Sequence, residues 1–78
     1  MKFSRGDLVR LSPLSGGMAE LSASPLAFSI DKLNTTGYLL DDDIAVVVAF
    51  DKRDCSTVFV LSTRGAGWVV GAFLKKIT

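Results

Sequence analysis

Ile44-Ala45-Val46-Val47-Val48-Ala49-Phe50 and Ser56-Thr57-Val58-Phe59-Val60-Leu61-Ser62 are the two runs that decide the fold. Both are rich in β-branched and aromatic residues, and neither shows a helical period. Aspartates bound the first run, and the five residues Asp51 to Cys55 between the runs are hairpin spacing. A second turn, Thr63-Arg64-Gly65-Ala66-Gly67, carries two glycines able to take positive φ, and Trp68-Val69-Val70 resumes the extended pattern. Three strands and two tight hairpins predict an antiparallel meander.

Outward from the meander, Asp7-Leu8-Val9-Arg10-Leu11 alternates and stops at Ser12-Pro13, which predicts a first strand. Gly71-Ala72-Phe73-Leu74 is short and weakly helical, and Lys75-Lys76-Ile77 reads as a last edge strand whose lysines discourage pairing. Residues 13–40 are read as a long, partly helical or irregular insertion. Pro13 to Gly17 is a loop by composition. Ser24-Pro25 has the form of an N-cap followed by a first-turn proline, and Leu26, Ile30 and Leu33 would line one face of a helix over 25–33. Leu26 to Ile30 also reads as a short strand. Thr36 to Leu40 is expected to be extended.

Strict alternation puts Ile44, Val46, Val48 and Phe50 on one face and Ala45, Val47 and Ala49 on the other, so both faces are apolar. A small barrel has one interior, and the second face needs a cover. If Ala45, Val47 and Ala49 lie outside with Phe59 and Leu61, either the 13–40 segment or a second copy of the chain must shield them.

The chain has 78 residues, enough for a single domain spanning 1–78, with 49% apolar and 22% charged residues. That balance folds rather than remaining disordered. Histidine is absent and Cys55 is the only cysteine, which removes histidine catalysis, cysteine–histidine dyads, intrachain disulfides and common zinc sites. The net charge of +1 lacks the basic excess of a dedicated nucleic-acid binder. The first residues have no apolar core of a secretory signal, no stretch is long and apolar enough for a membrane helix, and a lone thiol suits a reducing compartment; the expected location is cytoplasmic.

Gly67-Trp68-Val69-Val70-Gly71-Ala72-Phe73-Leu74-Lys75-Lys76-Ile77 resembles the close of a Src-homology-3-type barrel, and Phe3 to Leu11 resembles the first strand of small bacterial and phage barrels of that kind. The resemblance implies a glycine-bearing turn, an aromatic–apolar strand, a one-turn 3₁₀ helix and a last short strand. It does not carry over the family's polyproline groove: Val70 and Phe73 stand where its proline and tyrosine would be, and Thr57-Val58 where its tryptophan would be.

The expected fold is therefore mainly β, a small Src-homology-3-like antiparallel barrel. Asp41-Asp42-Asp43, Asp51 and Asp54 lack the glycine and glutamate of a calcium loop, and seven strand residues would hold the two groups roughly 20 Å apart. They read as solvated turns. Arg64 within its glycine turn resembles an anion nest, but no phosphate-loop spacing surrounds it. Trp68 is expected to be partly buried, and Phe3, Tyr38, Phe50, Phe59 and Phe73 to serve the core. No base, nucleophile and orienting group can be assembled, so no catalytic residue, cofactor or metal site is expected. The expected role is a non-catalytic module for protein interaction or self-assembly, with Val47, Phe59, Leu61, Arg64 and Trp68 as candidate contacts. The alternative is a nucleic-acid-associated barrel using Arg64, Lys75, Lys76 and Trp68, whose signature would be steeply salt-dependent binding.

Overall fold

Val58, Val60 and Val69 have no measurable exposure or nearly none, and the strands that carry them form the centre of the molecule. The computed structural model describes residues 3–23, 35–51 and 56–77. Its elements are β1 (Leu8–Leu11), a 3₁₀ turn (Pro13–Ser15), β2 (Met18–Ser22), β3 (Thr35–Leu40), β4 (Ala45–Phe50), β5 (Thr57–Ser62), β6 (Gly65–Val70), a second 3₁₀ turn (Gly71–Phe73) and β7 (Leu74–Lys76). All strand pairs are antiparallel, in the order β3-β2-β6-β5-β4-β1-β7. The end strands β3 and β7 are not hydrogen-bonded to each other, so the sheet curls without closing into a barrel. Among the described residues no helix is long and apolar enough to cross a membrane.

The meander, the first strand and the short last strand lie where the sequence places them. Between β6 and β7 the chain makes the one-turn 3₁₀ helix, its start pinned by Gly71 N–H donating to the Ser56 carbonyl at 2.7 Å. β6 begins at Gly65 rather than Trp68, so the two-residue turn Thr63–Arg64 closes the β5–β6 hairpin.

In the 13–40 insertion Thr36 to Leu40 is extended as expected, within β3, but the rest of the described part departs from expectation. Met18–Ser22 and Thr35–Leu40 form a hairpin, not an irregular lid, and the described part holds no α-helix. The helix expected over 25–33 lies outside the described residues, as does Cys55. β2 alternates exposed Met18, buried Ala19, exposed Glu20 and buried Leu21. Met, Ala, Glu and Leu are helix formers in isolation, and the alternation outweighs their intrinsic preference because it buries one face.

That buried face completes the core. Ala19, Leu21 and Leu39 pack with Ala45, Val47, Val58, Val60 and Val69 of the meander and with Val9, Leu11 and Leu74 of β1 and β7, while Phe3 and Phe50 flank the cluster. The hairpin thus walls the inside of the meander and does not cover its outer side. Gly67 sits at the fold in the sheet, where β2 meets β6 through the single pair Ser22↔Trp68. A Cβ at Gly67 would lie 2.9 Å from both Leu21 Cβ and the Ser22 carbonyl oxygen. This glycine serves close approach of two backbones, whereas Gly65, at φ +147°, is the one that takes a positive φ. Thr36 Oγ1 locks the same corner by donating to the Ala66 carbonyl at 2.6 Å.

Candidate interaction surface

Which side of β4 faces the core is settled by its partners. Val47 lies opposite Val60 and Ala45 opposite Ser62, while Val46 lies opposite Leu61 and Leu8. Directly paired residues share a face, and Val60 is fully buried, so Val47 points inward and is 1% exposed. The expected outward placement of Ala45 and Val47 is therefore reversed, and Val47 is a core residue, not a contact.

Strict alternation also breaks. Val47 pairs with Val60 but Ala49 with Phe59, so Val48 is an extra residue, a β-bulge. Beyond it the faces exchange: Ala49 turns outward beside Phe59, and Phe50 turns inward opposite Val58. The bulge coincides with the docking of the Ser4–Asp7 turn. Gly6 N–H donates to the Val47 carbonyl at 2.8 Å and Val47 N–H to the Asp7 carbonyl at 2.9 Å. Gly6, at φ +89°, and the Ser4 N–H donating to Asp7 Oδ2 at 2.7 Å shape that turn.

The outer side of β1, β4, β5 and β6 is an apolar sheet face. One cross-strand row is Leu8, Val46, Leu61 and Ala66; the next is Ala49, Phe59 and Trp68. Ile44 is 56% exposed and Leu61 51%, with Val48 and Leu8 also exposed. Phe59 and Trp68 are half-buried and meet edge to face, their ring centroids 5.4 Å apart and planes at 75°. Leu8, Ile44, Val46 and Leu61 line a shallow groove that ends at Thr63. Of the candidates, Phe59, Leu61 and Trp68 lie on this face. Leu8, Ile44, Val46 and Val48 belong with them, whereas placing Ala45 and Val47 outside would have turned Ile44, Val46 and Val48 inward; the signal that could have placed them is Val60, since a central strand's most buried partner fixes its neighbours' parity. Phe73, expected in the core, is exposed.

Arg64 stands at the β5–β6 turn, where Ser62 Oγ accepts its N–H at 3.2 Å. Its Nε donates to Asp43 at 2.8 Å, and Asp43 Oδ2 also accepts the Leu40 N–H at 2.9 Å. Asp43 is buried, so the aspartate run is not wholly a solvated turn. The Leu40 amide first, and Arg64 second, hold its carboxyl below its ordinary pKa of 3.8. A depressed carboxyl stabilises the fold above its unfolded pKa and loses that contribution as pH falls through the lower folded one. Stability to urea is thus expected to drop below pH about 4, and Asp43→Asn should flatten that acid limb; an unchanged limb would remove Asp43 from the account.

The basic residues of the nucleic-acid alternative are not brought together. Strands β5, β4 and β1 stand between Trp68 on β6 and Lys75 and Lys76 on β7 in the strand order. Lys76 lies 3.6 Å from Asp7, and Arg64 Nε is paired with Asp43. Among the described residues, no group of three or more acidic or cysteine side chains is arranged to hold a metal ion. Comparison with protein-family models, with curated protein sequences and with solved structures finds no match to this chain.

Proposed function

We infer that this protein is a non-catalytic, Src-homology-3-like interaction module, acting in the cytoplasm, that self-assembles through the outer face of β1, β4, β5 and β6. The succession β6, 3₁₀ turn, β7 supports the finer fold assignment, being what the resemblance at Gly67–Ile77 implies. One observation carries the functional reading: the row Leu8, Val46, Leu61, flanked by Ile44 and Val48, lies on the side of the meander that the β2–β3 hairpin leaves uncovered.

Apolar surface withdrawn from water is worth about 25 cal/mol per Å², so a face of a few hundred Å² offers several kcal/mol on docking. A second copy suits it, because two such sheets can stack about 10 Å apart around a twofold axis, each presenting the same row. The area is at the small end for specific association, so the dimer should be weak, in the micromolar range.

Sedimentation at about 100 micromolar should show a dimer, and Leu61→Asp should return a monomer whose circular dichroism matches that of the wild type. Leu61 is exposed, so this charge leaves the core untouched. A clean wild-type monomer at that concentration would overturn self-association.

A further inference from the structure

We propose that the groove between the outer face of β3 and the Arg64 side chain binds the C-terminus of an extended peptide, an apolar last residue with its free α-carboxylate. The site meets the groove along the outer row of β1, β4 and β5 only at Thr63, and it does not depend on self-assembly.

Arg64 is held along the strand at both ends. Its carbonyl oxygen would lie 3.2 Å from a Cβ on Gly37, and its guanidinium reaches Asp43 beside the Leu40 amide. The side chain therefore runs beside β3 from the level of Gly37 to that of Leu40. Asp43 takes Nε, and the four Nη hydrogens of the guanidinium are not used by that contact. A guanidinium so positioned is preorganised for a second carboxylate, which it can meet bidentately.

Beneath it lies a groove of about 540 Å³ lined by Met18, Gly37, Tyr38, Leu40, Thr63 and Arg64. Met18, Tyr38 and Leu40 are exposed and supply an apolar floor. The volume falls in the range of ligand sites, yet the groove is open along one side, where an alkyl chain would stay wet. An extended peptide can use that side, because among the described residues β3 is a terminal strand.

The backbone there has the right parity. Leu40 N–H donates to the Asp43 carboxylate and Leu40 C=O accepts from Asp43 N–H, so both groups point away from β2. Leu40 pairs with Met18 and Tyr38 with Glu20, without a register shift between them. Antiparallel pairing alternates every second residue, so Tyr38 N–H and C=O point away from β2 too, at an edge that no other described strand pairs. Asp43 occupies the Leu40 pair, so the last residue of a peptide would bond at Tyr38, drop an apolar side chain onto Met18 and Leu40, and bring its carboxylate to Arg64.

Titrating the full-length, ¹⁵N-labelled chain with acetyl-Thr-Val-Val-Leu, as free acid and as C-terminal amide, tests this. The free acid should shift the amides of Gly37, Tyr38 and Thr63, and amidation should weaken binding at least about tenfold. Arg64→Gln should erase the difference between the two peptides, and Met18→Glu, on an exposed position, should weaken both. Equal affinity of acid and amide for the wild type, or no shifts up to about 5 millimolar peptide, would overturn the proposal. The acid–amide comparison needs no variant, so it stands even if Arg64→Gln melts early.

Discussion

Gly67→Ala should lower the melting temperature by about 15 °C or more, because the added methyl group meets a backbone carbonyl on one side and a Cβ fixed to the same strand on the other. Its Cβ would sit 2.9 Å from the Ser22 carbonyl oxygen and from Leu21 Cβ, both on β2. A flexible side chain can swing aside; a carbonyl in a strand pairing cannot. Overpacking of this kind costs about 3 kcal/mol or more, set against the roughly 4–12 kcal/mol expected for a chain of this length. Gly6→Ala is the control: Gly6 has a positive φ but open space around it, so only the backbone penalty of about 1–2 kcal/mol applies. Thermal melts followed by circular dichroism compare the two. A Gly67→Ala melt within about 5 °C of the wild type would mean that β2 does not cross β6 as described.

Val47→Asp should abolish folding, whereas Leu61→Asp, 14 positions later, should leave a folded chain. Val47 is enclosed by the core, and an unpaired carboxylate there costs several kcal/mol or forces its own protonation. Leu61 faces solvent opposite Val46. The pair of variants reads out strand parity directly, since a one-residue slip exchanges the two faces. Native-like circular dichroism and a cooperative melt for Val47→Asp would invert the assignment of β4.

Most of the strand framework was legible in the sequence. Ile44 to Val70 reads as a meander because β-branched runs and hairpin spacing are local signals. The β2–β3 hairpin was not legible as such, since Met18 to Leu21 alternates in residues that favour helices alone and needs the core to decide the matter. Parity of β4 was missed for a different reason. Both faces of 44–50 are apolar, so alternation cannot orient them, and the bulge at Val48 goes with a turn some forty residues earlier in the chain. The candidate surface was half legible: Phe59, Leu61 and Trp68 were found, while Val47 was misplaced with its strand. Asp43 could not be told from Asp41 and Asp42 by composition. Only the fold brings Arg64 to one of the three.

The pairing of β1 with β7 carries a kinetic consequence. Val9 meets Lys76 and Leu11 meets Leu74, roughly sixty residues apart in sequence. The ordering cost of such a loop precedes any gain from its contacts, so refolding should be slow for so short a chain, on the millisecond-to-second scale of proteins dominated by distant strand pairs. During synthesis the meander can form as soon as Val70 has emerged and β1 can join β4, but the other edge of β1 waits for Leu74 to Lys76. Until they arrive, one edge of the nascent sheet lacks its final strand and is open to mispairing with other chains.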